Sequence, residues 1–373
     1  MRIGFDGRSL ASPAGGVRRY AGELLDELVR VSPSDTIVVF GASAESPRPD
    51  GVQNWPVKQI FPTNLGWSLV DLPRAIRHER LDVFHAPAYT APLGGIVPLV
   101  LTIHDVSYER HPEWYPYRQD AIRRWFYRRC ARSADVIVTD SDFSRREIAA
   151  AYDLGPNHIR VVPLGVGSPF LDTTLPRSPA DTREPYILHV GDIHVRRNLR
   201  TLVRALARLS SVSAHIAPPR LVLAGADRGE RVHIEAEAQR AHIHIQFAGT
   251  PDDDALASLY AGASAFVYPS RYEGFGLPLL EAMACGAPVI GARAGAIPEV
   301  IGGAGMLVDP DDETEMAASI GRLMTDAGLA DGFRRAGRKR AMEYTWERTA
   351  RQTTAAYEEA INRVAEAGRR AAR

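Results

Sequence analysis

The chain has 373 residues, 45% hydrophobic and 24% charged, with 45 acidic and 45 basic side chains. That length favours two domains, each burying a core of its own, and the balanced charge gives none of the basic surplus that marks a nucleic-acid partner. Cys130 and Cys285 are the only cysteines; they form no spaced pair, so neither a disulfide framework nor a zinc site is expected, and a reducing cytoplasm suits them. The first residues lead straight into a strand pattern without a signal-peptide core, and no apolar run approaches the roughly 18 residues that cross a bilayer. The expectation is a cytoplasmic protein, at most peripheral at the inner face of the membrane.

In chain order, short apolar runs alternate with helical patterns twice, as βα units do. Arg2–Phe5, Thr36–Phe40, Asp82–His85, Val97–His104 and Val136–Thr139 read as buried strands, with helices over Arg18–Arg30 and Tyr117–Arg132. A polar, proline-bearing stretch from Leu171 to Pro185 then interrupts the alternation as a linker would. Strands resume at Tyr186–Val190, Arg220–Ala224, His244–Phe247, Ala265–Tyr268 and Ala287–Gly291, and a long amphipathic helix closes the chain near Thr345–Ala367. This is an α/β protein of two doubly wound, Rossmann-like domains. The expected divisions are an N-terminal domain over 1–170, a linker over 171–185, a second domain over 186–344 and a C-terminal helix over 345–373 that packs back on the first domain. Ligands of such sheets sit beyond the carboxyl ends of the strands, beside helix N-termini.

Four strand-to-helix turns carry candidate chemistry. In Tyr268-Pro-Ser-Arg-Tyr-Glu-Gly-Phe-Gly-Leu-Pro-Leu-Leu-Glu, a strand runs into a glycine-flanked loop, and Pro278 suits a first helical turn. The amides of Phe275, Gly276 and Leu277 can face oxygens or a phosphate. Glu273 on the loop and Glu281 one turn into the helix can reach different hydroxyls of one polyol, or can be two solvated carboxylates. In His189-Val-Gly-Asp-Ile-His-Val-Arg-Arg-Asn-Leu, the forks of Arg196 and Arg197 suit a diphosphate, although an Arg-rich chain also places solvated arginines in loops. An arginine at such a loop edge is expected to add little to stability. In Ala14-Gly-Gly-Val-Arg-Arg-Tyr, Gly16 can present an amide to a phosphate oxygen, with Arg18 nearby; a plain tight turn is the alternative. In Val100-Leu-Thr-Ile-His-Asp-Val-Ser, His104 ends a strand where it can bond a sugar hydroxyl, or it is a structural histidine.

These segments resemble glycosyltransferase family 4, the retaining enzymes of the two-Rossmann-domain GT-B type. Glu273 and Glu281 form the family's E-x7-E pair, and Glu-Gly-Phe-Gly-Leu-Pro-Leu-Leu-Glu-Ala-Met-Ala-Cys-Gly-Ala-Pro-Val is similar throughout. The resemblance implies that the domains face each other across a cleft and that Glu273, Phe275, Gly276 and Leu277 contact the donor sugar. It also implies that Glu281 binds the nucleotide ribose and that Gly16 borders the donor phosphate. The arginine pair matches the family's Pro-Arg-Lys-Asn-Leu with two departures: Arg197 stands where Lys is usual and Val195 where Pro is frequent, which makes Arg196 the surer phosphate ligand. Thr-Ile-His-Asp-Val-Ser, with Leu81-Asp-Val-Phe-His-Ala-Pro and Thr139-Asp-Ser-Asp-Phe-Ser-Arg-Arg-Glu-Ile, resembles a mannosyltransferase-like branch. There the residue matching His104 lies by the reaction centre, with Arg18, His85 and Asp105 as weaker acceptor-side candidates.

The implied activity is hexosyl transfer with retention from a nucleotide-diphosphate sugar to a hydroxyl of a glycan, lipid-linked or small-molecule acceptor. The branch inclines the donor towards GDP-mannose, with UDP- and dTDP-sugars open. No Asp-x-Asp or His/Cys cluster suggests a metal, the arginines can take its place, and no cofactor is expected because the nucleotide sugar is a substrate. A glycosidase would need the two carboxylates on opposite sides of one bond. A GT-B phosphorylase, a nucleotide-sugar epimerase and a non-catalytic nucleotide-sugar-binding partner of another transferase share the architecture. Over Tyr117–Arg132, Arg118, Arg128, Arg129 and Arg132 share a helical face with Trp125. That face suits an anionic membrane or, more readily, a solvated surface.

Overall fold

A computed structural model describes residues 1–12, 15–42, 49–60, 63–116, 119–172, 184–212 and 217–371. Most of the expected linker, along with Ala14, Tyr117 and Arg118, lies outside the described residues. The chain divides into two compact units, one comprising Met1–Gly165 with the chain from Thr345 onward, the other Val166–Tyr344.

In the first unit, seven parallel strands form one sheet: β1 (Arg2–Asp6), β2 (Thr36–Phe40), β3 (Gln53–Trp55), β4 (Val83–Ala86), β5 (Leu99–Thr102), β6 (Val136–Thr139) and β7 (Ile159–Val161), in the order 3-2-1-4-5-6-7. Helices cover both faces of such a sheet, so its inner strands are apolar at nearly every position instead of alternating. β2, β4, β5 and β6 are buried along almost their whole length. Phe40, Phe84, Leu101, Ile137 and Tyr152 belong to one core cluster. β5 is shorter than the expected Val97–His104: it begins after Pro98, which has no N–H for a ladder, and Ile103 and His104 leave it as a loop. The three-residue edge strands were not expected. β3 in particular is mostly exposed, without an apolar signature.

The second unit repeats the design with β8 (Tyr186–Val190), β9 (Arg220–Ala224), β10 (Ile245–Gly249), β11 (Ala265–Tyr268), β12 (Val289–Ala292) and β13 (Met306–Val308), all parallel in the order 10-9-8-11-12-13. Leu202, Leu206, Leu221, Leu223, Val267 and Ile290 pack in its core. Both sheets reverse their strand order beside their first strand, between β1 and β4 and between β8 and β11. These are the switch points, where the loops from neighbouring strands diverge and leave room for a ligand.

The first unit ends at Gly165, five residues before the expected boundary at 170. The Val166 N–H donates to the Tyr344 carbonyl (3.1 Å), and the buried Phe170 packs edge-on against Tyr260, so this stretch belongs to the second unit. The last helix, Trp346–Ala371, packs on the first unit. Thr349 donates to the Pro163 carbonyl (2.7 Å), Arg160 makes a two-pronged pair with Glu359 (2.7 and 2.6 Å), and Arg363 caps the Asp135 carbonyl (2.9 Å). Among the described residues no helix is long and apolar enough to cross a membrane.

Candidate functional site

Parallel pairing of β8 with β11 sets the loops leaving their carboxyl ends side by side. The first loop carries Arg196 and Arg197, the second Tyr268 to Leu277. Arg197 is not a loop-edge side chain, contrary to the expectation for it: it is 7% exposed. Its Nη1 donates to the Glu273 Oε1, to the Tyr268 hydroxyl and, at 3.4 Å, to Ser270 Oγ, and its guanidinium lies 5.2 Å from the Tyr268 ring centre. Its Nε is buried without a hydrogen-bond partner. The inward turn is possible because Gly191, at φ +138°, has no side chain; a Cβ there would stand 3.2 Å from the guanidinium. Arg196 remains half-buried; its N–H donates to His194 Nδ1 (3.3 Å) and its carbonyl accepts from the Arg271 N–H (3.0 Å). The loop that Arg196 and Arg197 lie on is thereby tied to the loop bearing Glu273.

Glu273 is 5% exposed and is gripped through its backbone as well. Its carbonyl accepts from the Ala296 N–H (3.0 Å), and Gly295 passes so close that a Cβ would fall 2.7 Å from the Glu273 nitrogen and oxygen. Beneath the pair, His189 stacks on Tyr268 (5.4 Å between ring centres) and bonds the Val267 carbonyl through Nδ1 (3.0 Å). Burial, reinforced by the nearby Arg197, pushes His189 down to about 3, so it is a neutral ring at neutral pH.

Glu281 sits inside the helix Leu277–Ala284, which follows Gly276 and carries Pro278 in its first turn. It is 4% exposed, and its Oε2 accepts from the Tyr260 hydroxyl at 2.9 Å. The reading of it as a solvated carboxylate is therefore wrong. The side chains of Phe275 and Leu277 are buried, with Phe275 edge-on to Tyr344 (5.9 Å), so what these positions offer a ligand is backbone. Tyr260, Tyr268, Ser270, Gly191 and Gly295 were not singled out from sequence. Only Gly191 and Gly295, each a glycine soon after a strand, carried a local signal.

In the first unit, His104 lies just past β5. Its Nδ1 bonds Asp140 Oδ2 (2.8 Å), its carbonyl accepts from Ser144 Oγ (2.8 Å), and Tyr20 meets its ring edge-on at 4.7 Å. Burial opposes the charged ring, but the carboxylate and hydrogen bond of Asp140, with Asp105 behind, outweigh it and hold His104 above its ordinary value. Gly16 is in the first turn of the helix Gly15–Val31, where a Cβ would meet nothing within 4 Å, and the exposed Arg18 donates to the Ser12 carbonyl (3.0 Å).

The other two acceptor-side candidates are otherwise engaged. His85 is wholly buried between the Tyr357 hydroxyl on Nδ1 and Thr102 Oγ1 on Nε2, both at 2.8 Å. Burial, together with His104, lowers it to about 3. Both ring nitrogens are used within the fold, so His85 is a structural histidine and not an acceptor contact. Asp105 accepts from the N–H and Oγ of Ser107 (2.9 and 2.7 Å), closing a turn at the start of the short helix Ser107–Arg110.

The basic face expected on the helix now seen at Ala121–Ser133 is partly spent on a neighbour. Arg128 and Arg132 donate to the carbonyls of Ala151 and Tyr152 (both 3.0 Å), at the end of the helix Asp142–Tyr152, where cations complement the helix dipole. Ile122 and Trp125 remain 69% and 59% exposed.

A family profile described as Glycosyltransferase Family 4 matches residues 14–167, and one described as Glycosyl transferases group 1 matches residues 184–326. Sucrose-phosphate synthase from Thermosynechococcus elongatus superposes with a TM-score of 0.76 at 21% identity, over 96% of this chain and 98% of that one. Anabaena HepE in complex with UDP-glucose superposes at 0.69 with 19% identity, over 94% and 98%. The two profile matches make the protein a glycosyltransferase, and its two parallel-sheet units share the GT-B fold. In sequence, the chain is 29% identical to O-antigen chain mannosyltransferase B of Escherichia coli over 96% of its length and 99% of that protein's. It is 35% identical to the MMP alpha-(1->4)-mannosyltransferase of Mycolicibacterium hassiacum over 72% and 67%. The chain belongs to glycosyltransferase family 4.

Proposed function

We propose that the protein is a retaining, metal-independent hexosyltransferase that takes mannose from GDP-mannose and delivers it to a hydroxyl of a glycan or lipid-linked acceptor. The observation that carries this reading is the buried Arg197–Glu273–Tyr268 cluster at the β8/β11 switch point. Mannosyltransferases among its relatives favour that sugar, and nucleotide sugars of another base are the alternatives the test below discriminates.

In this mechanism, Glu273 and the backbone of Phe275, Gly276 and Leu277 orient the sugar, and Glu281, kept in place by Tyr260, binds the ribose. Arg196 and Arg197 receive the diphosphate. Charge builds on the departing phosphate while the sugar becomes oxocarbenium-like, and fixed guanidinium groups in a dry site stabilise that charge without reorganising. The acceptor hydroxyl enters on the face the diphosphate leaves, and the departing phosphate takes its proton. His104 bonds a sugar hydroxyl, Gly16 lends an amide to the phosphate, and Arg18 stands on the acceptor side. No cofactor takes part. For a lipid-linked acceptor, the exposed Ile122–Trp125 pair beside Arg129 provides a contact for an anionic membrane.

A thermal-shift screen of nucleoside diphosphates tests the donor base, because a ligand at about 100 times its Kd stabilises the fold by about 2.7 kcal/mol. GDP should shift the melting temperature most; a larger shift with UDP or dTDP would reassign the donor. Incubation of the matching nucleotide-mannose with acceptor should then release nucleoside diphosphate and yield an α-linked product by NMR. Release without a glycosylated product would overturn the reading.

A further inference from the structure

His104 is held from three sides. The helix Asp142–Tyr152 is preceded by Asp140 and by Ser141, whose Oγ caps it by accepting from the Ser144 N–H (3.0 Å). Ser144 Oγ in turn grips the His104 carbonyl, Asp140 takes its Nδ1, and the Tyr20 ring closes the third side. Asp140 is 3% exposed, and its second oxygen, Oδ1, has no hydrogen-bond partner. His104 Nε2 is likewise buried without a partner at hydrogen-bonding geometry. A carboxylate is costly to bury for packing alone, and here it makes one hydrogen bond with its side chain, to an imidazole whose far nitrogen makes none at hydrogen-bonding geometry.

Resting on the proposed role of His104 at the sugar, we propose that Asp140 is its positioning residue. The carboxylate accepts Nδ1–H, which fixes the tautomer and ring plane and makes Nε2 the atom presented to the sugar. A carboxylate can only accept, so in the neutral ring the proton is on Nδ1 and Nε2 carries a lone pair that accepts from a sugar hydroxyl; on protonation Nε2 becomes a donor. The groups facing this ring are Asp140 from the start of one helix, Asp105 on its own loop, Tyr20 from the first helix, the Pro87 carbonyl and Tyr89 (at 6.3 Å) after β4, and the neutral His85 of β4. Of these the two carboxylates and, more weakly, the Pro87 carbonyl favour its charged form. The sequence shows Asp140 only as one of several polar residues in Thr-Asp-Ser-Asp, 36 positions from its partner.

The test is Asp140→Asn in the full chain with 15N-labelled histidine. The amide keeps the shape and removes the charge, and with no second partner to hold its orientation it can turn either its oxygen or its NH2 to Nδ1, so the tautomer is no longer fixed. NMR should show the neutral His104 ring protonated on Nδ1 in the parent and on a mixture of Nδ1 and Nε2 in the variant, with the titration midpoint lowered by about one unit or more. Turnover should fall at least about tenfold, as expected when a base or donor is presented in the wrong tautomer, while nucleoside diphosphate affinity stays within about twofold. Formate should restore part of the turnover to Asp140→Ala, which a purely structural role would not allow. An unchanged tautomer and midpoint in Asp140→Asn would overturn the proposal. His104→Ala separates it from the broader reading: near-normal turnover there would sink the role at the sugar, while the NMR result stands or falls by itself.

Discussion

Arg197 and Glu273 are each less than a tenth exposed and bonded to one another, so a change in either leaves a charge in a poorly solvated site. Arg197→Ala should therefore cost about 3 kcal/mol or more of stability as well as about a hundredfold or more in turnover. Removing Glu273 in the same chain should recover part of the stability, because the orphaned charge is gone. Urea denaturation of the two single variants and the double variant measures this; strictly additive losses would show that the pair is not coupled. Arg197→Lys keeps a charge in reach of Glu273 and should retain activity within about tenfold, about 1.4 kcal/mol of barrier. Glu281 should behave differently. Its loss should weaken nucleoside diphosphate binding by about 1.5–3 kcal/mol, the worth of a charged hydrogen bond, whereas Glu273→Ala should abolish turnover with the nucleotide still bound. Calorimetry that shows equal nucleotide loss in both variants would overturn that division.

Elements matter because they set which side chains meet. Arg197 reaches Glu273 across 76 positions only because β8 and β11 pair and send their loops the same way. The helix Ala121–Ser133 shows the reverse case, in which an element's charges are claimed by a neighbour. With Arg128 and Arg132 on the end of the next helix, the outward apolar pair Ile122 and Trp125 with the exposed Arg129 is what remains for a membrane. Binding to anionic vesicles should thus be weak, fall with salt, and disappear in Ile122→Ser/Trp125→Ser. Sedimentation unaffected by the double change would leave this helix as solvated surface.

Across the whole molecule, each unit buries a neutral histidine, His85 in the first and His189 in the second, both near 3 against an ordinary 6.5. Between those values the unfolded chain binds protons that the folded chain refuses, so stability is present above about 6.5 and drains away as pH falls towards 3. His104 runs the other way: its folded value is raised, so its contribution is full at low pH and lost as pH rises through that value. Two outweigh one, and the urea midpoint should drop between pH 7 and pH 5, before most carboxylates titrate. A flat midpoint over that range would contradict the neutral burial of the two rings.

The repeated alternation of apolar runs with helical patterns was enough to establish two parallel α/β sheets, since strands buried on both faces must be apolar wherever they occur. Residues with a local signature were also legible: glycine beside glutamate at a strand-to-helix turn, paired arginines, and His-Asp after a buried run. What had no local signature was partnership. Whether Arg197 is solvated or buried depends on the absence of a side chain at Gly191. That His85 is structural depends on Tyr357, 272 positions away on a helix that returns to the first unit. Asp140 is distinguished from Asp142 only by the ring it faces. Burial and pairing of charges are energies of three-dimensional neighbourhoods, set when distant strands come into register, and the tertiary structure alone decided them.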